Sequence, residues 1–136
     1  MQTVQGVLLV KRRDSPTLEN SANEMVDLLT DLGMDHKLAK VLAHLSQVEE
    51  SKSTDIEREC ELRQPEVSLA TKDLRARGWV VADERRQGGK GRPVHYYRLE
   101  LPLPEIMRQV EAQKLEEIGG ELQKIERLKA LVSRAD

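Results

Sequence analysis

The sequence predicts a mainly α-helical, α+β fold, and three observations lead to it. Apolar residues recur at helical spacing through most of the 136 residues, and the period switches to alternation only between residues 79 and 99. That stretch is interrupted by a glycine-rich loop, the mark of a β-hairpin. All the aromatic residues, Trp79, Tyr96 and Tyr97, fall inside it, and the chain has no Phe. A core without Phe closes through Leu, Val, Ile and Ala, which suits small helical units.

The elements follow in order. Residues 3–10 are apolar and β-branched, which suits a short strand or an arm that pairs with a partner chain. Residues 11–20 are polar, contain Pro16 and read as a linker. A first helix is expected over 21–32, with Met25, Leu28, Leu29 and Leu32 on its inner face and Gly33 as its left-handed terminator. A second begins after Asp35, a good N-cap, and carries Leu38, Val41, Leu42, Leu45 and Val48. Residues 49–52 form a polar break. A short third helix runs to Cys60 with Ile56 and Cys60 inward; Thr54 and Glu57 can form a capping box, and Ser53 is an equal candidate for the cap.

Residues 61–64 make a tight turn. Pro65 then takes the first position of a fourth helix, where a missing N–H is tolerated. Val67, Ala70, Leu74 and Thr71 form its inner side, and Gly78 ends it. Strands over 79–82 and 94–99 flank the loop 87–93, which contains Gly88, Gly89 and Gly91. After Pro102, the stretch 104–133 is helical again, about 45 Å long at 1.5 Å per residue. Its stripe of Ile106, Val110, Leu115, Ile118, Leu122, Ile125 and Leu128 is that of a coiled-coil or bundle helix. Gly119 and Gly120 in its middle suggest a kink or a close helix crossing.

Composition excludes several classes. No run of about 20 apolar residues exists to span a membrane. The apolar start precedes Lys11-Arg12-Arg13, the reverse of a secretory signal. A single Cys gives neither an intrachain disulfide nor a cysteine zinc site, and a cytoplasmic setting is expected. His36, His44 and His95 have no metal-ligand spacing, so no metal and no cofactor are expected. No nucleophile or acid–base constellation is present, and an enzyme is not expected. Net charge is −2, but residues 63–98 carry nine basic and four acidic side chains, a basic block in an acidic chain.

Three helices, a tight turn between the last two and a basic hairpin make a winged helix-turn-helix. The chain then divides into an arm and linker over 1–20, the winged domain over 21–100 and a dimerisation helix over 101–136. In this arrangement the helix at 65–77 can enter the DNA major groove, and the hairpin loop at 85–93 is the wing at the minor groove or backbone.

The residues also resemble known families. Asp31-Leu32-Gly33-Met34-Asp35, leading into the helix at 38–45, resembles the opening of TrmB-like transcriptional regulators. Leu62-Arg63-Gln64-Pro65-Glu66-Val67-Ser68 resembles the start of the recognition helix in ArsR-like and MarR-like regulators, and Asp73 to Val80 their helix exit. Gly89-Lys90-Gly91-Arg92-Pro93 with Tyr96-Tyr97-Arg98-Leu99 resembles their wing. The likeness covers about residues 24–100. The large ligand-binding domain of TrmB proteins and the paired cysteines of metal-sensing ArsR proteins are absent, so it implies no sugar or metal effector.

The residues expected to meet double-stranded DNA are Arg63, Gln64, Ser68, Leu69 and Lys72 on the fourth helix, and Arg85, Arg86, Lys90 and Arg92 on the wing. Gln64 suits adenine or phosphate, Ser68 and Lys72 suit phosphate or base edges, and Leu69 a thymine methyl, unless the helix phase is off by one and Leu69 is core. Arginines among glycines suit a narrow minor groove, and Lys90-Gly91-Arg92-Pro93 resembles the minor-groove hook of architectural DNA binders. Glu66, in the first turn, reads as a helix-stabilising charge, and Arg75 and Arg77 as favourable charges at the helix end. Trp79 is expected in the core, one of Tyr96 and Tyr97 outward, and Cys60 as a buried thiol. The expected function is a homodimeric, sequence-specific transcriptional regulator. The alternative is a winged-helix module that binds another protein, as an accessory subunit of a transcription or chromosome machine.

Overall fold

A computed structural model describes residues 16–86 and 91–135. The described chain falls into two compact units, one ending at Leu101 and one beginning at Pro102. The first unit contains helices α1 (Pro16–Asp31), α2 (His36–Leu45), α3 (Ser53–Cys60) and α4 (Gln64–Ala76), and strands β1 (Ser51–Lys52), β2 (Val80–Arg85) and β3 (Val94–Leu99). The second is one helix, α5 (Leu103–Ala135). This is a winged helix-turn-helix followed by a long C-terminal helix.

The expected linker over 11–20 is helical from Pro16 onward. Proline fits a helix's first turn because the N–H there has no intrahelical acceptor in any case. The expected strand or arm over 3–10 lies outside the described residues. α1 packs on α2, and only part of its predicted stripe is covered. Leu29 is buried, Met25 half-buried, and Leu28 and Leu32 are exposed. Gly33, at φ 106°, closes the helix, its N–H on the Thr30 carbonyl at 2.9 Å.

α2 is the centre of the core. Leu38, Ala39, Val41, Leu42, Ala43 and Leu45 are all buried, because the helix packs on α1, α3 and α4 together. Asp35 caps it, its Oδ2 accepting from the Lys37 and Leu38 N–H groups at 3.1 and 3.2 Å. Val48 falls past the helix end and is half-buried. The polar break at 49–52 hides a strand: Ser51 pairs with Tyr97 and Lys52 with Tyr96. The sheet order is β1-β3-β2, all antiparallel.

α3 starts at Ser53 with Lys52 as N-cap and no side-chain cap, so the Thr54–Glu57 capping box does not form. The β1 pairing already fixes Lys52 in extended geometry. Ile56 and Cys60 are buried as expected. The Cys60 thiol donates to the Lys40 carbonyl at 3.6 Å, and burial pushes its pKa up to about 11. An inert, packed thiol follows.

Glu61, next in the chain, has φ 55° and ψ 50°. A left-handed backbone costs a residue with a Cβ about 1–2 kcal/mol. Glu61 is exposed, so nothing in its side chain offsets this. Glu61→Gly is therefore expected to raise stability by about 1 kcal/mol, read from the urea midpoint. A lowered midpoint would show that the turn is not strained.

On α4, Val67, Ala70, Thr71 and Leu74 are buried; Thr71 satisfies its hydroxyl by donating to the Val67 carbonyl at 2.9 Å. Gly78, at φ 81°, ends the turn after the helix. β2 runs to Arg85, three residues further than expected. α5 is continuous through Gly119 and Gly120. A Cβ at either meets nothing within 4 Å, so among the described residues nothing crosses the helix closely there. Of the stripe read from the sequence, Ile106 is buried and Val110 half-buried, whereas Leu115, Ile118, Leu122, Ile125 and Leu128 are exposed.

Candidate nucleic-acid interface

The surface builds up from α4. Its inner positions fix its rotation, and the residues between them must face out. Gln64, Ser68, Leu69 and Lys72 are all exposed, with Arg63 just before them. Leu69 is 70% exposed, which excludes the reading that the phase is off by one and Leu69 is core.

Glu66 does not belong to this face. It accepts from the Arg63 backbone N–H at 2.8 Å and pairs with Lys37 Nζ at 3.1 Å. These two bonds, the first the stronger, hold its pKa down to about 2. The pair ties the first turn of α2 to the first turn of α4. The folded carboxyl binds its proton less tightly than the unfolded one, so its stabilisation is complete above about pH 4.5 and disappears as pH falls toward 2. Urea midpoints of wild type and Glu66→Gln are expected to differ at pH 7 and to converge only as pH falls through about 2. A gap that persists at low pH would mean that the charge is not what Glu66 contributes.

The hairpin sorts its aromatics. Trp79 is buried, its ring 5.1 Å below the Arg77 guanidinium. Arg77 is held in turn by Asp73 at 2.6 Å. Tyr97 is buried and Tyr96 half-buried. Of the wing cations, Arg85 is the most heavily engaged among the described residues. Arg85 reaches Glu50 through two bonds of 2.7 and 2.9 Å, contacts Asp83 at 3.4 Å, and lies 4.1 Å over the Tyr96 ring. The hydrogen bonds with Arg85 lower the Glu50 pKa, and those with Glu50 raise that of Arg85. Arg85, expected at DNA, is thus paired with the segment before β1 in the free chain. No local signal could show this, because the partners lie 35 residues apart.

Arg86 donates to the Gly91 carbonyl at 2.9 Å, across the neck of the loop. Arg92 is exposed. Lys90 lies outside the described residues. The structure thus brings Gln64, Ser68, Leu69 and Lys72 onto the outer side of α4, sets Arg63 at its N-cap, where it pairs with Glu66 at 3.5 Å, and leaves Arg86 and Arg92 beside the hairpin loop.

An open cleft of about 870 Å³ lies among α1, α2, β1 and α3. Its lining mixes Lys40 and Arg58 with Glu50, Asp55 and Glu59, so it offers a ligand no single charge. Among the described residues, no cluster of His, Cys, Asp or Glu could hold a metal ion, and no helix is long and apolar enough to cross a membrane.

The fold and the outward face of α4 define a winged-helix protein. Among solved structures, a possible transcriptional regulator from Methanosarcina mazei Go1 is similar, with TM-score 0.53 and 14% identity over 68% of this chain and 80% of that chain. That likeness is one of fold. The YusO protein from Bacillus subtilis gives TM-score 0.48 at 15% identity, over 99% of this chain and 100% of that one. NMB1585, a MarR family regulator from Neisseria meningitidis, gives 0.45 at 15% identity, over 88% and 94%. No protein-family model matches the chain, and no curated protein matches it.

Proposed function

We propose that the chain is a homodimeric, sequence-specific double-stranded DNA-binding transcriptional regulator. The single observation that carries this reading is the outer face of α4, where Gln64, Ser68, Leu69 and Lys72 stand exposed on a helix whose other side is locked into the core. A helix held this way fits the major groove, which is about 12 Å wide. The wing, with Arg86, Lys90 and Arg92, lies at the adjacent minor groove or backbone. The exposed apolar stripe of α5 supplies the dimer contact, and two-fold symmetry places the two α4 helices about 34 Å apart on a pseudo-palindromic site. The similar solved structure described as a possible transcriptional regulator supports the same reading.

Selection from random duplex DNA, followed by salt titration on the selected site, tests it. Lys72→Ala and Arg92→Ala each remove one phosphate contact, so each is expected to weaken binding and reduce the salt slope by about 1. Full affinity and an unchanged slope in both variants would overturn the contact model.

A further inference from the structure

We infer that the two α5 helices of the dimer run antiparallel in the register centred at the level of Gly120, so that Lys129 of each copy faces Glu111 of the other. The inference rests on the dimeric reading above and adds its direction and register. The seam has coiled-coil spacing: Leu115, Leu122 and Lys129 occupy one set of core positions, and Glu111, Ile118 and Ile125 the other. All six are exposed in the single chain. The charged residues at the ends of the seam decide how a second copy can lie on it.

In a parallel, in-register pair every core residue meets its own copy. Lys129 then meets Lys129 and Glu111 meets Glu111, two like-charge layers within the seam. The flanking positions add Glu121 against Glu126 on both sides. In an antiparallel pair one set of core positions meets the other. Centred at Gly120, Leu115 meets Ile125, Ile118 meets Leu122, and Lys129 meets Glu111. Symmetry doubles each, giving four apolar layers closed at both ends by an ion pair. Sliding one heptad in one direction sets Lys129 on Ile118, which desolvates an unpaired ammonium. Sliding the other way sets Leu122 on Glu111.

Two further features agree with this register. Gly119 stands at a flanking position level with the two-fold axis, opposite its own copy. A Cβ there meets nothing in the single chain, yet a helix glycine costs about 1 kcal/mol against alanine; close approach of a second backbone accounts for it. Lys129 makes an exposed pair with Glu126 of its own helix at 3.3 Å, an interaction too weak to keep it from a partner. The register carries two costs, Glu121 beside Glu121 at the solvent flank and, one layer beyond each ion pair, Val132 against Arg108.

Sedimentation equilibrium on the full chain, with charge-swapped variants, tests the proposal. Lys129→Glu and Glu111→Lys alone are each expected to weaken dimerisation at least about tenfold, and the double variant to recover to within about threefold of wild type. Cysteine cross-linking reads direction separately, with the wild type and its buried Cys60 as the blank. A mixture of Leu115→Cys and Ile125→Cys chains is expected to form the mixed disulfide, and Leu115→Cys alone is not expected to cross-link to itself. A dimer whose single swaps do not weaken it, or whose Leu115→Cys chains join to each other, overturns the antiparallel register and leaves the dimer standing. A monomeric wild type overturns both.

Discussion

Trp79→Ala is expected to lower the unfolding free energy by about 3–5 kcal/mol, the range for deleting a large buried aromatic side chain, and to weaken DNA binding with it. Trp79 is 3% exposed and sits where α4 gives way to the hairpin. Its N–H bonds to the Leu74 carbonyl at 3.1 Å, and its own carbonyl accepts the Glu100 N–H at 2.7 Å. One residue therefore joins the helix end, the start of β2 and the exit of β3. Urea denaturation measures the stability loss. Hydrogen exchange of the β2 and β3 amides shows whether the hairpin loosens before the helices do. A loss below about 1 kcal/mol with unchanged affinity would mean that Trp79 is not the anchor.

Leu69→Asp is expected to abolish measurable DNA affinity, at least about a hundredfold loss, while leaving the melting temperature within about 2 °C of wild type. Leu69 is 70% exposed, so the fold does not depend on it. A carboxylate at this point would enter a groove lined by phosphates and would remove an apolar contact. Leu69→Ala, which loses only the contact, is expected to cost about tenfold or less. Fluorescence anisotropy on the selected duplex, beside a thermal melt, separates the two effects. If the Asp variant binds like wild type, the outer face of α4 is not where DNA lies.

How far the sequence reveals the molecule depends on the range of the interactions that shape each part. α2 and α4 are legible because their burial follows a period of 3.6, and that phase alone puts Leu69 outside. Asp35 is legible as a cap because its bonds span two and three residues. β1 is not legible. Ser51 and Lys52 have no strand propensity, and only pairing with Tyr97 and Tyr96, some 45 residues away, makes them a strand. Arg85 reads as a free wing cation until the fold brings Glu50 to it. Pro16 reads as a breaker, yet it opens α1. Leu28 and Leu32 read as core because periodicity shows a face and not what covers it. The outward set on α4 is thus visible in the chain's own periodicity, whereas the selection among wing arginines is set by tertiary contacts.

Lys52 is both the last residue of β1 and the cap of α3. β1 lies against the same strand that returns from the wing, and Arg85 locks that hairpin to Glu50, immediately before β1. The base of the hairpin is thus tied to the helix-turn-helix at two places, the β1–β3 pairing and the Arg85–Glu50 pair. In the DNA-bound arrangement proposed above, these two ties set the offset between the bases read by α4 and the groove touched by the wing. One base pair inserted between those two contacts within a half-site would then misalign both at once.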